Sequence, residues 1–464
     1  MNEPRPRPCR AVVRACLLAG SFASPVIAAA GGSAEAGRGA DSLELGSAIE
    51  LEAHHLADFA LDTRARDDLL RREAELVGEV TWRPRADVLA FGELALVAER
   101  EDHGGDRPDE SADALERGET WVQFERAFGR ELALTLGRPA FSDPRSWWWD
   151  DDLDGLRMDL ARGDWDATLG LAQELAPTST SDDFIDPEAE DVRRLLAHAG
   201  WRHSDALRLD GFALVQRDRS GGFRSGRVID SERVDESDLD ARWLGLRVSG
   251  VIAAGAAAKL HYWADLATVS GDEVATAFVD LGDGRSRADG AERRRLRGRA
   301  LDLGVEWHLA TAAARVLGLR YAQGSGDRDP DDGTDRAYRE TGLRDQDAEF
   351  RLYGELLRPE LSNLRVGTIS LGAEPGAGTR VTLGYHRFRQ VYAADELAGS
   401  RLETDPTGAS PDIGEEISLV VELEPGEDLE LEFAAAIFRA SDAFGARSGR
   451  RAHSLFGQLT WGFE

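Results

Sequence analysis

LALTLGRPAFSDPRSWWWDDDLDGLRMDL, residues 132 to 160, reads as two short alternating runs joined by a rigid, acidic, aromatic loop. Leu132, Leu134 and Leu136 set apolar side chains on one face at period two, the mark of a half-buried strand. Then come Gly137-Arg138, Pro139, Phe141, Ser142-Asp143-Pro144, the triplet Trp147-Trp148-Trp149, and acids at Asp150, Asp151, Asp152 and Asp154. Leu156, Met158 and Leu160 resume the alternation, with Arg157 and Asp159 on the opposite side. A water-soluble sandwich rarely exposes three adjacent tryptophans. A membrane β-barrel can use some of them at the bilayer interface, where one edge is apolar and the other wet. The competing reading is a hairpin of a soluble β-protein with a partly buried Trp cluster.

The same period recurs from about residue 44 to the end. Leu76, Val80 and Trp82 oppose Glu73, Glu75 and Glu79; Leu207, Leu209 and Val215 oppose Arg208, Asp210 and Gln216. Leu317, Leu319 and Tyr321 oppose Arg320; Ile417, Leu419 and Val421 oppose Glu416, Ser418 and Glu422; Leu429, Leu431 and Phe433 oppose Glu430 and Glu432. One apolar side and one small or charged side is what a water-filled barrel asks of every strand. A sandwich shows the same alternation, its apolar face meeting another sheet. The number of segments and the lack of helical periods predict an all-β fold: a transmembrane antiparallel up-and-down barrel of about 18 strands, an even number as in bacterial single-chain barrels. Tight turns at Arg83–Arg85, Arg162–Asp164, Arg202–Asp205 and Pro425–Glu427 suit the periplasmic side. Long acidic connections are expected outside, at Arg100–Arg117, Leu175–Asp191, Asp218–Asp238, Thr268–Arg295, Ser325–Gln346 and Ala393–Gly414. Such lengths are foreign to a compact soluble domain. Leu455, Leu459, Trp461 and Phe463 share a face, as a closing barrel strand would, although Glu464 follows the aromatic.

The chain of 464 residues carries 86 acids against 56 bases, a formal charge of −30, which argues against nucleic acid as a partner. Mean hydropathy is −0.39, compatible with a barrel because only the lipid-facing half of each strand need be apolar. Beyond the N-terminus no apolar run is long enough for a transmembrane helix. Residues 1 to 30 read as a secretory signal, with Arg5, Arg7, Arg10 and Arg14, an apolar middle and Ala28-Ala29-Ala30, implying export through the Sec pathway. Residues 31 to 43 read as a flexible mature start and 44 to 464 as the barrel. Cys9 and Cys16 fall in the signal, so no disulfide framework or thiolate site is expected in the mature chain.

Three blocks carry a family resemblance. LGRPAFSDPRSWWWDDDLDGLR resembles the signature hairpin of the alginate export family, outer-membrane barrels of Gram-negative bacteria that carry an acidic exopolysaccharide outward. GSGDRDPDDGTDRAYRETGL (324 to 343) with YGELLRPELSNL (353 to 364) is similar to that family. So is the end, through YHRFRQVYAADEL (385 to 397), DPTGASPDIGEEISLVV (405 to 421) and FRASDAFG (438 to 445). The resemblance implies a basic constriction with one Arg in the LGR element and another closing the WWWDDDLDGLR element, here Arg138 and Arg157.

The residues themselves give no enzyme site. The nine histidines form no HExxH pair, and no GxSxG is present. Asp150 to Asp152, and DRDPDDGTD at 327 to 335, are loose candidates for a cation; the bland reading for the former is a solvated loop paired to Arg, and the latter lacks the closing Glu of an EF-hand. Neither catalysis nor a cofactor is expected. Transport of a polyanion needs positive charge at the narrowest point of the lumen. Lys259 is the single lysine, so almost all bases are Arg, whose planar fork pairs carboxylate bidentately. Strand parity points Arg157, Arg208, Arg247, Arg320, Arg351 and Arg380 into the lumen. Arg138 shares parity with Leu132, Leu134 and Leu136, so a bulge or strand end must turn it inward. For each Arg the competing role is a lumenal ion pair that stiffens the barrel.

The expected partners are an anionic polysaccharide or smaller anionic solute, the outer-membrane lipid, and periplasmic export proteins. Two alternatives stay open: a small-solute porin with cation preference, set by lumenal acids such as Glu73, Glu75, Glu430 and Glu432, and a secreted all-β carbohydrate-binding protein stacking sugars on Trp147 to Trp149.

Overall fold

A computed structural model describes residues 42–463, apart from 63–67, 105–106, 128–130, 222, 256–257, 283, 311–314 and 345–351. The expected signal with its two cysteines lies outside the described residues, as does most of the expected flexible start.

Eighteen strands close one antiparallel barrel. They are β1 Ser42–Ala57, β2 Leu69–Arg85, β3 Val88–His103, β4 Glu110–Phe124, β5 Leu132–Arg138 and β6 Gly155–Arg162. Next come β7 Trp165–Ala172, β8 Arg193–Ser204, β9 Leu207–Arg217, β10 Ser237–Ala253, β11 Ala258–Asp280 and β12 Arg285–Leu309. The last six are β13 Arg315–Gly324, β14 Leu364–Gly376, β15 Thr379–Gln390, β16 Asp412–Leu423, β17 Leu429–Ala440 and β18 Arg451–Phe463. Each strand pairs with its sequence neighbours, and β1 closes on β18 with Ser47 opposite Phe463. The ring leaves no open edge, which satisfies every ladder without water, as a bilayer requires.

The oily face of each strand points outward. Leu317, Leu371, Leu383, Leu419, Ala435 and Leu455 lie in register across β13 to β18. Leu383 and Leu455 leave 45% and 57% of their surface uncovered. A continuous exposed apolar band of this size would aggregate in water and is at home in lipid. Near the short-turn rim Trp82, Trp165, Trp307 and Trp461 are exposed on the outer face, where they form an interfacial aromatic belt. Replacing Leu383 with Arg is expected to cost up to about 2–4 kcal/mol in folding into lipid vesicles, measured by urea titration. An unchanged midpoint would contradict the outward assignment.

The two rims differ as expected, with corrections. The described residues of the 175–191, 218–238, 325–346 and 393–414 segments are largely irregular connections. The 100–117 and 268–295 segments are not loops. β3 runs to His103 and β4 starts at Glu110, while β11 and β12 continue as a tall ribbon with Asp280 opposite Ser286. Above the bilayer both faces of a hairpin are wet, so a polar composition there reads as loop although the ladder persists.

The tryptophan triplet is a second correction. Trp147, Trp148 and Trp149 are all buried, not placed at the bilayer interface. The segment between β5 and β6 forms its own small ribbon, Ala140–Ser142 against Asp150–Asp152, and folds into the lumen.

Candidate functional site

The site is the interior of the barrel, and two inward connections, 139–154 and the described residues of 325–363, largely fill it. Gly137 starts the first. Its φ of 127° is open to glycine, and a Cβ there would lie 2.2 Å from the Thr120 carbonyl oxygen. The kink frees Arg138 from the outward parity of Leu136 and buries it beside Glu174 at 3.7 Å. The chain then turns at Ser142-Asp143-Pro144. The Asp143 carboxylate accepts hydrogen bonds from the Trp147 and Trp148 amides at 3.1 and 3.3 Å, while Ser146, at φ 46°, donates its amide to the Asp143 carbonyl.

From Asp143 a chain of alternating charges crosses to the wall. Arg247 on β10 donates to both Asp143 oxygens, at 2.5 and 2.7 Å, and to Asp265 on β11 at 2.6 Å. Arg145 pairs with Asp265 and reaches Asp302 on β12 at 3.4 Å, its guanidinium lying 4.4 Å from the Trp263 ring centre. Arg320 on β13 closes on Asp302. Asp265 and Asp302 face each other in register, so the two carboxylates would repel without the arginines between them. Burial would push the Asp143 carboxyl up, yet Arg247 and Arg145 outweigh it and hold it below its ordinary value.

The second connection docks on the same network. Tyr353 donates to Asp302 at 3.1 Å and accepts from the Trp147 indole at 2.8 Å. Arg320 donates to the Leu352 carbonyl at 2.8 Å. Glu416 on β16 accepts the amides of Glu355, Leu356 and Leu357 at 2.6 to 3.2 Å. Leu356, Leu357 and Leu361 belong to the same buried cluster as Phe388, Ile413 and Phe438. The two connections also join: Thr341 donates to the Trp148 carbonyl at 2.6 Å and Asp150 donates its amide to the Leu343 carbonyl at 2.6 Å.

Beside the ribbon a small cleft remains, lined by Phe141, Asp143, Trp149, Arg157, His198 and Phe212. Arg157 donates to Asp159 at 3.1 Å and to the Ala140 carbonyl at 2.6 Å.

The predicted arginines therefore have distinct surroundings. Arg247 and Arg320 are anchors for the inward loops. Arg208 bridges Asp166 and Asp210 at 2.9 and 2.8 Å on the wall, and so occupies the Asp166–His198–Asp210 cluster that would otherwise suit a cation. Arg380, half exposed near the short-turn rim, lies 3.4 Å from Glu422. Arg351 lies outside the described residues. Arg138 and Arg157 flank the ribbon. Asp152, read from sequence as solvated, is buried; burial and then Glu119 raise its carboxyl well above the ordinary value. In the 327–335 segment Arg336 pairs with Asp332 and Asp327 at 2.9 and 3.4 Å, supplying the positive charge that a cation would bring.

Asp143, Arg145, Asp302, Tyr353 and Glu416 were not singled out from the sequence. The only signal for the wall partners is parity: Arg247 stands opposite Asp210 and Asp265 in register, on the inward face.

A closed barrel with an apolar outer band, an aromatic rim and a charged, loop-filled interior is an outer-membrane channel. The comparisons agree on this class. The chain is similar in fold to outer membrane protein OprD of Pseudomonas aeruginosa, with TM-score 0.54 at 10% identity, covering 92% of this chain and 95% of that one. OccAB1 of Acinetobacter baumannii gives TM-score 0.55 at 11% identity, over 90% and 96% of the two chains. The model of the alginate export family matches residues 42–458, and the chain belongs to that family. Relatives carrying the description "Alginate production protein AlgE" include one from Pseudomonas aeruginosa, 26% identical over 77% of this chain and 76% of that protein. Another, from Azotobacter vinelandii, is 24% identical over 35% of this chain and 39% of that protein. The protein resides in the outer membrane of a Gram-negative bacterium.

Proposed function

We propose that the barrel is the outer-membrane conduit for an acidic exopolysaccharide of the alginate type. A uronate chain presents one carboxylate per sugar, and the guanidinium fork is the side chain that pairs it in two places. The observation that carries this reading is the placement of Arg157: it is partly exposed, faces the remaining cleft, and is held by a carboxylate on its own strand, Asp159. An incoming uronate can take over that bond without leaving a buried charge alone. Arg138 stands on the other side of the ribbon. The paired arginines of the loop anchors serve positioning, and the loops must shift for a polymer to pass.

A second reading, a cation-preferring pore, is favoured by the acids Glu119, Asp151 and Glu93, which crowd Asp152 beside Arg138. A planar-bilayer reversal potential in a salt gradient separates the two. The expected result is anion preference for the native chain, with the anion-to-cation permeability ratio falling several-fold in the Arg138→Glu, Arg157→Glu variant. Cation preference in the native chain would support the second reading, and an unchanged ratio in the variant would remove both arginines from the constriction.

A further inference from the structure

The tall ribbon of β11 and β12 carries a feature that conduction does not use. Residues 285–299 contain seven arginines and two acids, in a chain whose net charge is −30. The registers of β10, β11 and β12 sort its outward face into rows. Leu246, Leu266 and Leu301 form one row, and Leu246 and Leu266 are 63% and 54% exposed to lipid. One step toward the long-loop rim the row is Leu244, Thr268 and Arg299. The next is Arg242, Ser270 and Arg297. The third is Asp240, Asp272 and Arg295. Successive rows on one face are about 7 Å apart along the strand. The arginines thus begin where the apolar band ends, on the face that looks away from the lumen.

These arginines are not spent on the protein. Among the described residues, no carboxylate lies within ion-pair distance of Arg242, Arg297 or Arg299; pairing resumes higher up, where Arg293 lies 3.7 Å from Asp272 and Arg294 lies 3.0 Å from Glu292. Asp240 and Asp272 are the nearest outward acids, one row above. Arg242 and Arg297 flank Ser270 on adjoining strands, about 10 Å apart at the backbone. Two guanidinium forks with a hydroxyl between them are donors for a phosphate monoester. Because long loops face the exterior in such barrels, this level is the headgroup layer of the outer leaflet.

We propose that Arg242, Arg297 and Arg299, with Ser270 and Thr268, form a binding site for the phosphorylated glucosamine headgroup of a lipid A-type glycolipid in the outer leaflet. The acyl chains would lie along the Leu244, Leu246 and Leu266 surface below. The exported polymer is a less suitable occupant, since the site faces away from the lumen and is continuous with the lipid band. The inference rests on the barrel's orientation and is independent of what the lumen conducts.

Native mass spectrometry of the full chain in detergent, titrated with diphosphorylated lipid A, tests it. The expected result is a saturable bound lipid that raises the thermal unfolding midpoint. Dephosphorylated lipid A, inorganic phosphate and oligouronate should give no such binding. The Arg242→Gln, Arg297→Gln, Arg299→Gln variant should fold, with native heat-modifiable mobility and unchanged conductance, but bind at least about tenfold more weakly. A triple Lys variant should recover part of the affinity. Equal binding of the phosphorylated and dephosphorylated lipids, unchanged affinity in the Gln variant, or saturable binding of oligouronate that the Gln variant abolishes would each overturn the proposal.

Discussion

Excision of residues 327–361, with the ends rejoined by a short Gly-Ser linker, is expected to raise single-channel conductance several-fold. The ends of the excised segment are close, because Gln323 on β13 stands opposite Arg365 on β14, so a few residues close the gap. What is removed is the apolar filling: Leu352, Tyr353, Leu356, Leu357 and Leu361 are all buried inside the ring. What is kept is the barrel wall with its strand-to-strand ladders; the wall pairing lost with the segment is the short parallel bridge of Thr334 and Asp335 to Arg295 and Leu296 on β12. A barrel of this strand number leaves an aqueous channel when nothing folds into it. Planar-bilayer recording reads the result directly. Native conductance in the excised form would mean that the 325–363 connection is not what fills the bore.

The second large effect is expected from Arg247→Leu. Arg247 satisfies two buried carboxylates, Asp143 on the ribbon and Asp265 on the wall. Removing one partner of a buried ion pair leaves an uncompensated charge and costs about 3–5 kcal/mol. In the native chain burial alone would raise the Asp143 carboxyl, but Arg247, with Arg145, overcomes it and holds the group below its ordinary value. Without Arg247 burial is opposed only by the weaker Arg145 and amide contacts, so the cost falls on the docking of the ribbon. The expected outcome is a folded barrel whose 139–154 segment becomes cleavable by added protease and whose current flickers. Adding Asp143→Asn to Arg247→Leu should restore part of the protection, as expected of coupled neighbours. A variant as resistant as the native chain would show that the charge chain does not hold the ribbon.

Much of the wall was legible in the sequence because it rests on a local rule. Period two sets one face to lipid, and that alone placed Arg157, Arg208, Arg247 and Arg320 inward. The rule failed where lipid is absent. Above the bilayer, polarity on both faces disguised the upper parts of β3, β4, β11 and β12 as loops. It also failed where tertiary contact overrides composition. Trp147 to Trp149 have the chemistry of an interface belt, but Asp143 caps the amides of Trp147 and Trp148 and Arg247, 104 residues away, draws Asp143 inward. Trp147 meets Tyr353 across 206 residues. No periodicity reports such pairings. Arg138 is an intermediate case: parity pointed it at lipid, and the positive φ of Gly137 turned it round.

Export of a uronate polymer depends on a wet passage whose basic groups accept uronate. The most direct measurement is single-channel current through the full chain in a planar bilayer, with oligouronate added on the short-turn side. Brief interruptions should occur only when the voltage drives the polyanion inward, and a neutral oligosaccharide of equal length should cause none. Interruptions indifferent to polarity, equal block by the neutral oligomer, or no block by oligouronate would contradict it.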